Sequence, residues 1–320
     1  MGKVLITGAT GFIGNHVTRL CLEKGDDVRV MVMPGENRSP LDGMDVEIVE
    51  GNLLDPPSLQ RAVQGITQLY HLAAMFAVWT KDPDLHFKIN VDGARSMLSA
   101  ALAAGVEKVV FTSSIAAIGI NADGTWATED TAFNAWPWAS EYILSKFISH
   151  QMVKGMPGLP FGPGDREPTP TGSMIISTLK GKMKNYWDGG VCAVDVRDVA
   201  AGHVLAMEKG RIGESYILAN AAGNMSNREF LQLIGRIGGV ENVARSEVSG
   251  KTMLRVAKLA EAWSKLSGKA PITTYKNTVF ALQHPYVNPA KAVSELGLPQ
   301  TPIETAVADS VAWFREHGYV

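Results

Sequence analysis

The stretch Thr7-Gly8-Ala9-Thr10-Gly11-Phe12-Ile13-Gly14 constrains this chain more than any other. Its glycines fall at a G-x-x-G-x-x-G spacing, directly after the aliphatic run Val4–Thr7 and directly before an amphipathic pattern over Ile13–Glu23. Strand, glycine turn and helix in that order form the opening unit of a dinucleotide-binding α/β sheet. Gly8 permits the tight turn out of the strand, Gly11 lets the backbone approach a pyrophosphate with no Cβ in the way, and Gly14 lets the helix pack closely. The helix N-terminus then turns its amide N–H groups and the positive end of its dipole toward the phosphates.

The rest of the first half continues the pattern. Short apolar runs at Val28–Met33, Val46–Glu50, Leu69–Leu72 and Lys108–Ser113 alternate with helical patterns at Ser58–Val63, Leu85–Ala104 and Ser140–Val153. That alternation predicts a parallel sheet with crossover helices. The fold class is therefore α/β: a Rossmann-type doubly wound parallel sheet with a smaller, mostly helical C-terminal region for substrate. Residues 1–155 read as the dinucleotide-binding domain and 156–320 as mainly substrate-binding, with about 190–212 returning to the first domain. Five prolines and four glycines make Met156–Gly172 an irregular loop. A helix over Met174–Lys182, a strand near Val191–Val196, a helix from Val199, a short strand at Ser215–Leu218 and a helix over Thr305–Glu316 follow.

Charge and cysteine content narrow the function. Thirty basic residues against 32 acidic ones, net −2, exclude nucleic acid as the main partner. The first strand begins too early to leave room for a signal peptide, and no apolar run approaches the ~20 residues that span a bilayer. Cys21 and Cys192 read as reduced thiols. These features point to a cytoplasmic, soluble protein without stable membrane insertion, whose partner is a small molecule; a homodimer is the default assembly. No His/Cys/Asp/Glu spacing suggests a metal. Around Thr252–Leu266, Met253, Val256, Ala260 and Trp263 alternate with Lys251, Arg255, Lys258 and Lys265. This reads first as a substrate-region helix with snorkelling lysines and second as a membrane-surface segment.

Tyr142 and Lys146 stand four apart in a helical pattern, which stacks them on one face. An ammonium beside a phenol lowers its pKa from about 10 toward a range useful for proton transfer. Thr112-Ser113-Ser114 ends the fifth strand, where ligands of open parallel sheets bind, and a hydroxyl there can polarise a carbonyl. At the end of the second strand, Met33-Pro34-Gly35 offers no carboxylate for a ribose 2′-hydroxyl while Arg38 lies just beyond, so NADP is the expected cofactor and NAD the second choice.

Together, T-G-A-T-G-F-I-G, F-T-S-S over Phe111–Ser114, and Y-I-L-S-K over Tyr142–Lys146 resemble the extended short-chain dehydrogenase/reductase superfamily. His71-Leu72-Ala73-Ala74, Gly162-Pro163-Gly164-Asp165, Val194–Ala200 and the C-terminal Trp313–Tyr319 add to the likeness. Within it, Pro168–Gly172 and the aromatics Phe76 and Trp79 resemble dihydroflavonol 4-reductase-like, hydroxysteroid dehydrogenase-like and hopanoid-associated sugar epimerase members. The resemblance implies that Tyr142 exchanges a proton with substrate, Lys146 tunes it and binds the nicotinamide ribose, and Ser114 polarises the carbonyl. It also implies cofactor contacts from Thr7, Gly8, Gly11, Phe12, Ile13, Gly14, Asn52, Leu53, Ala73 and Ala74, with Phe76 and Trp79 toward substrate.

The chain departs from that pattern in one place. After the Tyr-Lys helix the superfamily supplies another strand ending in Asn-Pro, and nothing between Val153 and Phe161 offers it. Roughly ten residues are missing by ordinary strand and connection lengths. The favoured explanation is a segment missing across Gly155–Met156, ahead of a loop that substitutes for the strand or a degraded relative. The leading function is reduction of an apolar ketone or aldehyde, or oxidation of the alcohol. The alternatives are a nucleotide-sugar epimerase or dehydratase, and a non-catalytic cofactor-binding protein.

Overall fold

The computed structural model describes residues 2–77, 79–152, 156–157 and 159–320. Five parallel strands form the main sheet in the order β3-β2-β1-β4-β5: β1 (Lys3–Thr7), β2 (Asp27–Val32), β3 (Glu47–Glu50), β4 (Gln68–His71) and β5 (Lys108–Phe111). The central β1 is paired on both sides, Ile6 lying opposite Val30 and Tyr70. It is also covered on both faces, which is why Val4, Leu5 and Ile6 form an unbroken buried run. α1 (Phe12–Glu23) and α2 (Pro56–Ala62) are the first crossovers.

The helix predicted over Leu85–Ala104 is interrupted. α3 (Leu85–Phe87) passes through a π-helical stretch, Lys88–Gly93, before α4 (Ala94–Ala103). The widened turn holds Asn90, whose side chain accepts from the Met75 amide at 2.7 Å and donates to the Met75 carbonyl at 3.0 Å. α5 (Glu141–Met152) carries Tyr142 and Lys146.

The second half is built differently, from short strands paired over long distances. β6 (Met156–Pro157) runs parallel to β10 (Ile217–Leu218), and β7 (Leu159–Phe161) runs parallel to β9 (Gly190–Asp195). β8 (Asn185–Tyr186) pairs with β12 (Ser246–Glu247), and β11 (Asn224–Ser226) pairs antiparallel with β9. The expectation of a wholly irregular loop over Met156–Gly172 is thus corrected: strand partners supplied from far along the chain organise its start. Neither β6 nor β7 joins β5, which remains the edge of the five-stranded sheet. The junction on which the missing-segment expectation turns includes Val153–Gly155, outside the described residues.

α6 (Pro170–Leu179) starts earlier than predicted, since Pro170 suits the first helical turn and the Thr169 hydroxyl accepts from the Gly172 amide at 3.1 Å. With α8 (Asn227–Gly238) and α11 (Ile303–Glu316) it encloses a second core of Phe161, Ile175, Phe230, Ile234, Val307 and Phe314. Each large side chain buried there contributes about 1.5–3 kcal/mol. α7 (Val196–Lys209) crosses back to the first region: Ala200, Val204 and Met207 share a core with Val4, Ile6, Val17 and Val30. α9 (Gly250–Ser267) and α10 (Tyr275–Ala281) pack together on the outside of the second region.

Candidate active site

The site begins at the glycine turn. Gly8 has φ +75°, and a Cβ there would stand 2.9 Å from the Ala73 amide nitrogen. A Cβ on Gly14 would stand 2.0 Å from the Gly8 carbonyl oxygen, so α1 packs directly onto the turn. Gly11 is different: a Cβ would meet only the Gly8 carbonyl, at 3.2 Å, and otherwise enter open space. Gly11 is also the N-cap of α1, with no side-chain cap and no acidic residue in the first turn. The leading amides of α1 therefore have no side-chain acceptor and face an uncrowded backbone, which fits a pyrophosphate.

Thr7 and His71 lock the two strand ends beside this turn. The Thr7 hydroxyl is 2.8 Å from His71 Nδ1 and also accepts from the Ala73 amide at 3.1 Å. Ala73 and the exposed Ala74 thus lie across from Gly8. Phe12 is half-buried with its ring edge-on to His16, and Ile13 packs into the core below the turn.

The reaction end lies beyond β5. Ser114 adopts extended backbone and caps the turn Ile115–Ala117, its hydroxyl accepting from the Ala116 amide at 3.2 Å. The half-buried Tyr142 hydroxyl lies near that same Ser114 hydroxyl. Burial pushes the phenol up to about 12, and the Ser114 contact offsets part of the rise. The Phe76 ring meets the Tyr142 ring edge-on at 5.2 Å. Lys146 is buried, its ammonium donating to the Thr112 carbonyl at 2.9 Å, and burial pulls it down to about 8. The expectation that Lys146 lowers the Tyr142 pKa is corrected for this state: the ammonium is engaged by the Thr112 carbonyl and the phenol stays high.

Thr112, named in sequence only as part of the strand end, is a hub of the site. Its amide donates to the His71 carbonyl at 3.0 Å, its hydroxyl is 2.8 Å from His203 Nε2, and its carbonyl accepts a hydrogen bond from the Lys146 ammonium. Asn90 is a second such residue, donating to the Ser145 hydroxyl at 2.9 Å and so tying α5 to the loop after β4. Two buried polar atoms near the hub, Ser113 Oγ and His71 Nε2, have no partner among the described residues.

Other predicted residues are placed elsewhere. Leu53 is 7% exposed and its side chain packs with Leu59 and Met97 in the core. Asn52 accepts from the Leu54 amide at 2.9 Å, capping its own turn. Trp79 is half-buried and makes no ring contact with Tyr142 among the described residues. Arg38 pairs with Glu50. Glu36 holds the place judged empty of carboxylates: it accepts from the Thr10 hydroxyl and, at 2.6 Å, from the Met33 amide, linking the end of β2 to the glycine turn. Beside Ala116, a small apolar pocket is walled by Ile118, Trp138, Phe280 and Val287, and the Trp138 and Phe280 rings are 5.9 Å apart. Phe280 was invisible to local pattern because it arrives from α10.

A model of the NAD dependent epimerase/dehydratase family matches residues 4–219, more than half of the chain and both ends of this groove. The chain belongs to that family. As a member of it, the protein is an NAD(P)-dependent oxidoreductase of the extended short-chain dehydrogenase/reductase type. A Synechocystis protein named for dihydroflavonol 4-reductase is 36% identical, covering 98% of this chain and 95% of the relative. That alignment runs over 330 positions, more than the chain's 320 residues, so the relative carries residues with no counterpart here. Sterol demethylase protein B of Methylococcus capsulatus is 31% identical, with 99% of each covered. Among solved structures, gox2253 superposes with a TM-score of 0.88 at 36% identity over all of both chains. The NAD complex of Thermus thermophilus UDP-glucose 4-epimerase shares the fold at TM-score 0.77, 22% identity and 98% of this chain against 99% of that one.

Proposed function

We propose that this family member reduces an apolar ketone or aldehyde, or oxidises the corresponding alcohol, with Tyr142 as the proton partner. The observation that carries this reading is the Ser114–Tyr142 hydroxyl pair set beside the buried Lys146 and the apolar side chains of Phe76 and Ala116. A nicotinamide dinucleotide bound along the groove supplies the hydride. Tyr142, protonated at neutral pH, gives its proton to the developing alkoxide, and the Ser114 hydroxyl donates a second hydrogen bond to the same oxygen. With the cofactor bound, Lys146 would hold a ribose hydroxyl in place of the Thr112 carbonyl, and its charge beside the phenol would lower the cost of proton release. Gly8, Gly11 and the α1 N-terminus hold the pyrophosphate.

For the cofactor we infer NAD ahead of NADP. Glu36 stands where a carboxylate bonds a ribose 2′-hydroxyl and repels a 2′-phosphate, while Arg38 is engaged by Glu50. Glu36→Gln is expected to shift the NADH/NADPH preference in kcat/KM by about tenfold toward NADPH, about 1.4 kcal/mol; an unchanged ratio removes Glu36 from the selection.

The test of the reaction is oxidation of NADH and NADPH in the presence of aromatic aldehydes, dihydroflavonols, 3-ketosteroids and UDP-sugars. Stoichiometric oxidation with an apolar carbonyl supports the proposal. Turnover of a UDP-sugar without net oxidation makes the protein an epimerase. Gly162–Gly172 offers a diphosphate only Arg166 as a basic partner, which favours the first outcome.

A further inference from the structure

α9 presents to the outside what a globular enzyme ordinarily buries. Leu259 is 71% exposed, Trp263 67% and Leu266 83%, with Val256 beside them and Ile272 just past the helix end at 85%. At 3.6 residues per turn the four helical positions fall within roughly 80° of one another. Ala257 and Ser264, the buried residues of the helix, lie on a different face. The stripe is therefore a regular feature of one side, running over the C-terminal three turns of α9 from Val256 to Leu266.

The adjoining arc is cationic. Lys251, Arg255, Lys258 and Lys265 fall within a second sector of roughly 80° beside the apolar one, and Lys269 follows the Gly268 C-cap. None of these five cations forms an ion pair among the described residues, and Lys258 lies over the Tyr275 ring at 5.1 Å. The one carboxylate of the helix, Glu261, is turned inward to accept from the Tyr275 amide at 2.7 Å. A chain of net charge −2 thus gathers an uncompensated basic strip along an exposed Leu/Trp stripe.

We propose that α9 is a membrane-surface helix that rests on an anionic lipid bilayer. The apolar stripe enters the acyl boundary, Trp263 sits at headgroup depth, and the lysines reach the phosphates. A second copy of this chain is a poor occupant, because the same face on two molecules brings cations against cations. No helix among the described residues is long and apolar enough to cross a membrane, so the contact lies in the plane of the surface. The placement also serves the apolar substrate proposed above: α9 packs on α10, whose Phe280 belongs to the same apolar cluster as Tyr142. Membrane docking does not depend on that reading, since its test reads binding alone.

The full chain is mixed with vesicles of phosphatidylcholine, or of phosphatidylcholine with phosphatidylglycerol, and sedimented. Binding is expected to be about tenfold stronger to the anionic vesicles and to fall in high salt. Leu259→Ser/Trp263→Ser and, separately, Lys258→Glu/Lys265→Glu should each abolish it while melting temperature and NADH binding stay unchanged. Failure of the native chain to sediment with anionic vesicles overturns the proposal, as does undiminished binding by both double variants. A native assembly that Leu259→Ser/Trp263→Ser converts to a smaller species also overturns it, and makes the stripe a protein–protein contact.

Discussion

The two ends of the proposed dinucleotide site are built on opposite principles. At the glycine turn the ligand-facing surface is backbone, and its shape is set by contacts too close for any Cβ: Gly14 against the Gly8 carbonyl, Gly8 against Ala73. At the reaction end the surface is side chains, and what is set there is protonation: a phenol raised by burial, an ammonium lowered by it, and two buried polar atoms without partners among the described residues. One end should therefore respond to added volume and the other to altered charge. The contrast is the main physical lesson of the fold, and it can be broken by experiment.

The largest effect is expected at the phenol. Tyr142→Phe removes the proton and leaves the pocket shape, so kcat should fall by about 10³-fold while the dinucleotide dissociation constant stays within about threefold. Equal losses in both would mean that Tyr142 acts through binding. Next come the glycines. Gly14→Ala forces its Cβ into the Gly8 carbonyl and should cost about 1–3 kcal/mol of stability along with dinucleotide affinity. Gly11→Ala should leave the melting temperature unchanged and weaken the dinucleotide about tenfold, since its Cβ enters the ligand's space. Calorimetric melting and fluorescence titration separate the two.

The ammonium gives a pH signature. Lys146, pulled down to about 8 by burial, is charged below that pH and neutral above it. Single-turnover reduction should therefore slow above about pH 8 at low cofactor concentration, and Lys146→Arg should move the fall to higher pH. A profile flat to pH 10 would show that the charge plays no part. The smallest effect is on acid stability. Burial, with Lys146 adding to it, pulls His71 down to about 3, below its ordinary 6.5. Between those values the unfolded chain binds the proton that the folded one refuses, so stability falls as pH drops through this window. His71→Asn should flatten that slope by a few degrees of melting temperature; an unchanged slope would place the acid sensitivity at other groups, His203 among them.

What could be read from the sequence followed the same divide. The glycine turn is a local pattern: Thr7–Gly14 carries its strand, turn and helix within a few residues, and Gly8 and Gly14 are constrained by their surroundings where the spacing required it. The five strands and their crossovers were equally local. Glu36 could not be weighed from sequence because it lies in the loop beyond β2, and only the fold of that loop brings it back to Thr10. Phe280 and the partners of β6 and β7 come from distant segments, for which periodicity within a window holds no signal. The engagement of Lys146 by the Thr112 carbonyl is a matter of ångströms, invisible to a four-residue spacing.

The central claim is a net hydride transfer in which Tyr142 handles the proton, and isotope transfer reads it most directly. With reduced NAD carrying deuterium at the nicotinamide C4 position and a carbonyl substrate found in the panel, the alcohol should carry one deuterium at the carbinol carbon for each NAD formed, and the Tyr142→Phe protein should form neither. Deuterium retained in the cofactor while the substrate is isomerised, or full turnover by the Tyr142→Phe protein, would contradict the account.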